Sequence, residues 1–382
     1  MLGFVAASVA DELALGAVPA RDGELSPSTA ELDAELAALS ELTSEQRLTL
    51  SSSLGYRENI LLSAFAPIDR GFVQGEIEGL VWRLPADRWE ALAFLNGDVL
   101  RYFSPPPETR GEQQWFGHGE IRWLPGTRGS VSFSGDVYYQ DAVMDLSETQ
   151  AIRLVMPTRT SGLLLTLGGR AELLHGLSFI PAVQAHRSTY RDIPGDYDEL
   201  KGGARLEWKR FSRVAVSAGW YERARSYAER TEFTAGGRPL PGTQLQFRQT
   251  EADLKVATSW RAAGSWTATA AASVLENEDG ASGYFDYRDK RARLDLTWAR
   301  AEWRVSLGGL AKRRDYLVQT AGIGIAPPPR VADDHEVSGR VEREWTKTWT
   351  TFVEYSWERS RSNDASFNYE SNMSAIGVEW TR

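Results

Sequence analysis

Four histidines, His118, His175, His186 and His335, are the first residues to test for chemistry. Acyl transfer needs a hydroxyl, a histidine and a carboxylate gathered in one place, and acid–base work needs a histidine or paired carboxylates within hydrogen-bond reach. His118 shares its alternate-residue parity with Glu120, and His335 follows Asp333 and Asp334, so each has the makings of a metal or acid–base site. The four are nevertheless scattered over separate segments, with no glycine-rich phosphate loop and no zinc spacing beside them. They read as polar loop or wall residues, and neither catalysis nor a cofactor or metal is expected. The absence of cysteine removes thiol nucleophiles, thiolate metal sites and disulfides.

What remains is a set of charges spaced two apart. In 291–298 the residues Arg291, Arg293, Asp295 and Thr297 alternate with Ala292, Leu294, Leu296 and Trp298. Successive side chains of a strand point to opposite faces, so one face is polar and the other apolar. The same period places Glu76, Glu78, Asp98, Glu120, Arg122, Asp136, Arg205, Glu207 and Lys209 on a polar face. It adds Glu251, Asp253, Lys255, Arg304, Lys312, Arg340, Glu342, Glu344, Glu354 and Glu358. Both signs interleave along neighbouring strands. Such charges either set the ionic preference of a water-filled lumen or brace its wall through cross-strand ion pairs. Tyr138, Tyr221 and Phe352 share the parity; as lumen rings they could guide sugars, or pack against charged stems.

The elements that must position this set are long strands. Turns alternate between short ones, after Trp82, Trp123, Leu174, Trp208, Trp260, Trp298 and Trp345, and longer polar loops. Tryptophan recurs at the short turns: Trp82, Trp89, Trp123, Trp208, Trp260, Trp266, Trp298, Trp303, Trp345, Trp349 and Trp380. An indole favours an apolar layer for its ring and a wet one for its N–H, so this recurrence predicts a girdle at a membrane–water interface. No run approaches the roughly 18–20 apolar residues of a spanning helix, and mean hydropathy is negative. A soluble sandwich would also alternate, but its strands are shorter, and only a closed barrel satisfies every backbone group within lipid. The fold expected is therefore all-β: a transmembrane antiparallel up-and-down barrel of about sixteen strands, with fourteen to eighteen open because 151–174 carries Met156-Pro157. One strand there preserves the long–short alternation.

Residues 1–10 resemble the later part of a secretory signal, with an apolar run and small residues at Ser8 and Ala10 but no positive start, and read as a truncated signal peptide. Residues 11–43 form an N-terminal segment, expected in the periplasm. Ser26-Pro27-Ser28-Thr29 marks a helix start, and Leu32, Leu36 and Leu39 lie on one face of a short helix. It could act as a tail, a plug or a tether. The barrel is assigned to 44–382. A net charge of −9 with a pI near 5.2 and no basic stretch excludes a nucleic-acid partner.

Ile376, Val378 and Trp380 in 368–380 resemble the closing strand of outer-membrane proteins, which the barrel-assembly machinery reads, although Thr381 and Arg382 follow the aromatic. The run Tyr355-Ser356-Trp357-Glu358-Arg359-Ser360-Arg361-Ser362-Asn363-Asp364, followed by Tyr369-Glu370-Ser371-Asn372, is similar to the end of the β-barrel porin families found beside exopolysaccharide and capsule export genes. Leu54-Gly55-Tyr56-Arg57-Glu58-Asn59-Ile60 is similar to their first strand. The resemblance implies the outer membrane of a Gram-negative-type bacterium, contact with outer-membrane lipid, a periplasmic export partner, and passage of solute or polymer. The expected function is a channel for small polar solutes or a conduit for an exported polysaccharide. The alternatives are a non-conducting barrel that anchors or assembles a partner, a surface-lipoprotein exporter, and a rim enzyme using His118 or His335. Gly237–Gly242 and the proline-rich Ala326–Arg330 are candidate constrictions on composition.

Overall fold

The computed structural model describes residues 44–382 other than 87, 106–108, 110, 146–152, 212 and 323–324. The expected signal and the helical segment of 11–43 lie outside the described residues. Sixteen strands follow in order: β1 Ser44–Arg57, β2 Arg70–Ala86, β3 Trp89–Tyr102, β4 Gly111–Gly126, β5 Gly129–Asp145, β6 Val155–Leu174, β7 Leu177–Tyr190, β8 Tyr197–Phe211, β9 Val214–Tyr227, β10 Gln246–Arg261, β11 Ser265–Asp279, β12 Tyr287–Arg300, β13 Trp303–Thr320, β14 Pro329–Glu344, β15 Trp349–Ser362 and β16 Tyr369–Thr381. Each pairs antiparallel with its chain neighbours, and β1 pairs with β16, closing a sixteen-strand barrel with no free edge.

Register shows why the period of two became two surfaces. Leu50 lies opposite Ile77 and Trp380, whereas its neighbour Ser51 lies opposite Glu76 and Glu379. The apolar set faces outward and stays exposed all round: Leu54, Val81, Ile121, Phe133, Leu167, Val183, Leu206, Leu254, Leu294, Leu307, Val353 and Ile376. In water such a belt would forfeit about 25 cal/mol for every Å² left unburied. The segment 155–174 is one strand, and Pro157 sits near its upper end, opposite Val143 on β5 and beyond the last paired residue on the β7 side. A residue without an N–H is tolerated where the ladder is one-sided.

Short turns close one rim. At β10–β11, Ala263 and Gly264 take φ of +50° and +138°. A Cβ on Gly264 would lie 2.5 Å from Trp298 Nε1, so the turn requires glycine there. At the opposite rim, longer loops pack three apolar clusters against the inner parity. Ile60 of the β1–β2 loop is fully buried on Phe72, Leu100, Tyr102 and Ala375. Leu245 and Phe285 pack with Tyr227 and Phe247, and Leu275 packs with Tyr287 and Tyr316.

Candidate functional site: the inner wall

The concave face is identified by contacts no other surface permits. Arg57 of β1 reaches Glu112 of β4 at 3.1 Å and Glu358 of β15 at 3.6 Å. Arg340 of β14 reaches Glu379 of β16 at 3.0 Å. Side chains separated by two or three strands converge only on the inside of a curved sheet. Strand alternation then places the sequence-predicted charged residues on this same face, because they share parity and register with these anchors.

Two halves of that face differ. From β14 through β16 and on from β1 to β5, carboxylates dominate and each cation is shared among several. Arg340 binds Glu342 at 2.6 Å, Glu354 at 3.3 Å and Glu379 at 3.0 Å, and lies 3.8 Å above the Phe352 ring. That ring lies over Gly377, which has no room for a Cβ. Arg122 serves Glu90 at 2.9 Å and Glu120 at 3.0 Å. His118 Nδ1 lies 2.6 Å from Asp136, and its Nε2 lies 3.9 Å from Glu120. Glu76 and Asp98 have neutral donors: Ser51 Oγ at 3.3 Å and Asn96 Nδ2 at 3.1 Å to Glu76, and Gln74 Nε2 to Asp98. Glu78 shares their parity.

From β6 to β13 the stoichiometry reverses, and several carboxylates are each shared between two cations. Glu207 binds Arg170 at 2.7 Å and Lys209 at 3.2 Å. Glu199 binds Arg225 at 2.7 Å and Arg223 at 3.4 Å. Glu251 binds Lys201 and Arg223, both at 3.4 Å. Asp289 binds Arg314 at 2.7 Å and Arg291 at 3.0 Å. Arg293 pairs with Asp295 at 2.7 Å, while Arg205, Asp253 and Lys255 occupy the same face. At the border with the acidic half, Lys312 meets Asp334 at 3.1 Å and Arg304 approaches Glu342 at 3.9 Å. Interleaving of signs therefore describes the β6–β13 half and not the other.

The three candidate lumen rings are engaged with the wall. Lys201 caps Tyr221 at 4.4 Å, Arg340 caps Phe352, and Tyr138 Oη bonds Ser188 at 2.9 Å and approaches His186 Nε2 at 3.0 Å. Higher up, Tyr197, Tyr227, Phe247 and Phe285 form a chain of ring contacts 5.4–6.0 Å apart. Tyr227, Phe247, Phe285, Tyr287 and Tyr316 are at most 4 % exposed, so this band is a packed collar whose ring faces are occupied. The two candidate constrictions meet it. Phe233, bridged to Pro239, stacks on Tyr284 at 5.5 Å, and Arg330 lies over Phe367 at 3.5 Å and Tyr316 at 4.7 Å. The β1–β2 loop is a third inward segment; its signal was the apolar run Ile60-Leu61-Leu62 inside a loop. Arg153, just before β6, binds the Leu62 carbonyl and lies 5.5 Å over Tyr369 of β16, so its side chain meets both the β1–β2 loop and β16.

The paired His335 and Asp334 separate. His335 lies in β14, exposed and opposite Arg359, while Asp334 points inward to Lys312 and Ser360 Oγ. Of the girdle tryptophans, Trp89, Trp123, Trp208, Trp260, Trp266, Trp298, Trp303, Trp345, Trp349 and Trp380 share the apolar outer parity near the short-turn rim. Trp260 and Trp266 stack at 5.8 Å, and Trp266 and Trp298 donate to the turn carbonyls of Ala262 and Ala263. Trp82 is a correction. Its N–H donates to Glu90 at 2.8 Å on the inner face, because Trp82 shares the parity of Glu76 and Glu78 along unbroken β2, whereas Trp89 takes the outer parity of β3. Sequence reasoning also missed Arg57, Glu90, Glu112, Glu199, Lys201, Arg223, Arg225, Asp289 and Arg314, which continue the inward parity towards strand ends.

No family model and no curated protein matches the sequence. Among solved structures the chain is similar to an anion-selective porin from Comamonas acidovorans, with 8 % identity, 89 % of this chain and 99 % of that one covered and a TM-score of 0.48. It is also similar to the outer membrane protein OpdK from Pseudomonas aeruginosa, with 10 % identity, 88 % and 98 % covered and a TM-score of 0.43. A bacterial polysaccharide outer membrane secretin matches with 9 % identity, 89 % and 99 % covered and a TM-score of 0.43.

Proposed function

We propose that this chain is an outer-membrane channel that passes small polar and charged solutes along a lumen carrying a transverse electric field. The observation that supports it is the mirrored stoichiometry of the inner wall: carboxylates in excess from β14 round to β5, cations in excess from β6 to β13. A sixteen-strand barrel is wide enough for an aqueous channel. Opposed fixed charges across such a lumen orient a dipolar solute and hold its hydration shell at both ends. Lipid contacts the apolar belt, and the tryptophan girdle sits at the interface near the short-turn rim.

Small solutes are favoured over a polysaccharide conduit because the collar rings are buried and offer no stacking face to a sugar chain. A rim enzyme at His335 is disfavoured because Asp334 lies on the opposite face. The test is single-channel recording of the refolded full chain in a planar bilayer under a salt gradient. Steady openings are expected; a protein that inserts yet stays silent would favour the anchoring or assembly role. An aromatic or glycan polymer that blocks current at low concentration would restore the conduit reading.

A further inference from the structure

The outer wall carries a feature that solute passage does not use. Between β6 and β11, near the long-loop rim, a groove of about 880 Å³ opens on the exterior. Its floor is low because Ala224 stands where neighbouring strands carry Leu165 and Leu200, on the same cross-strand row. These side chains continue the exposed apolar belt. On the same row beyond Ala224 lies Arg248, and one outward-facing position nearer the long-loop rim lies Arg187, opposite Leu163. Arg187 approaches Asp198 at 3.9 Å, with both side chains more than 70 % exposed, a geometry worth little in water. Exposed Arg248 stands opposite Glu278.

We propose that this groove is a binding site for a phosphate-bearing lipid of the membrane that surrounds the barrel. Apolar surface flanked by guanidinium groups matches one molecule with acyl chains and phosphomonoester headgroups. An arginine fork fits phosphate bidentately. Charge and apolarity meet at one height, which a water-soluble anion would not need and a lipid headgroup does. The inference rests on the membrane location proposed above.

The experiment mixes the refolded full chain with phosphatidylcholine vesicles containing diphosphoryl lipid A or its dephosphorylated form. Flotation scores insertion, and native mass spectrometry after mild detergent release scores retained lipid. The expected result is retention of diphosphoryl lipid A by the unaltered chain. The double variant Arg187→Gln/Arg248→Gln should lose about tenfold in retention, the equivalent of about 1.4 kcal/mol. The dephosphorylated lipid should fall to the same low level with either protein. Arg288→Gln/Arg313→Gln, which alters outer-face arginines paired with Glu276 and Asp315, should leave retention unchanged. A chain that floats but retains both lipids equally, or loses nothing in the double variant, overturns the site and leaves the membrane reading intact. A chain that does not float overturns both. A dimer carrying no lipid would assign the groove to a second copy and overturn the proposal.

Discussion

The β14-to-β5 half and the β6-to-β13 half of the inner wall are built from the same kinds of ion pair, yet they carry opposite fields. In the first, Arg340 serves three carboxylates; in the second, Asp289 serves two arginines. What matters is which member of the pair is shared. Sharing fixes every side chain in place and leaves each half with a surplus of one sign, so the wall is rigid and polarised together. These two shared residues also differ in wetness. The Asp289 side chain is 0 % exposed and Arg314 7 %, sealed under the collar, while Arg340 is 26 % exposed.

That difference sets the largest expected effect. Asp289→Ala leaves the sealed Arg314 without its two-point partner and should cost about 3–5 kcal/mol, measured by urea unfolding of the vesicle-inserted barrel. Arg340→Gln leaves three carboxylates facing one another in a wetter place and should cost about 1–3 kcal/mol. If Arg340→Gln proves the more damaging, the contrast between the sealed and the wet cluster fails. Arg340→Gln should also move the reversal potential towards cation preference, because it deletes a cation from the acidic half; Asp289→Ala should move it the other way.

Much of this frame was legible from spacing alone. An apolar face backed by a polar one forces a period of two, and turn chemistry punctuates it, so strand number, the single strand at 155–174 and the shared parity of residues such as Glu76 and Arg293 follow from local pattern. The polarity of the wall did not, because closure creates it. Arg57 and Glu112 are brought together by strands wrapping round a cylinder, and no local window contains both. Trp82 misleads for a smaller reason: its place beside a short turn suggests the girdle, whereas counting by twos from Glu76 and Glu78 puts it on the inner face. The inward β1–β2 loop was written in Ile60-Leu61-Leu62, an apolar run that makes sense only once Phe72 and Tyr102 are known to lie beside it.

A finer test changes the surplus by neutral replacements on each half. Glu76 and Asp98 accept from neutral donors, so Glu76→Gln/Asp98→Asn removes acidic charge with little disruption. On the opposite half Arg205→Gln/Lys255→Gln removes basic charge. The two should shift the reversal potential in opposite directions, each by about twofold in permeability ratio, since charges in a wet lumen act at about 0.2–1 kcal/mol. Shifts of the same sign in both would dissolve the distinction between the halves.

The smallest effect concerns the rim of the basic half, where the β7–β8 loop is tied down by Asp192. Its carboxylate accepts from the Arg159 backbone N–H at 3.0 Å, from Nε at 3.1 Å and from Nη2 at 2.6 Å, and Arg191 N–H returns a bond to the Arg159 carbonyl at 3.0 Å. Those donated hydrogen bonds, from side chain and then backbone, hold the Asp192 carboxyl down at about 2. A carboxyl lowered in the folded state stabilises it above the ordinary carboxylate range, and that contribution is lost as pH falls towards about 2. Amide exchange at Arg159 and Arg191 should therefore stay slow from neutral pH down to about 4 and open only below it. Asp192→Asn should open both amides at every pH while leaving the collar untouched. Equal protection in the variant and the unaltered chain would mean that the loop is held by its backbone alone, and that pairing matters on the inner wall but not at its rim.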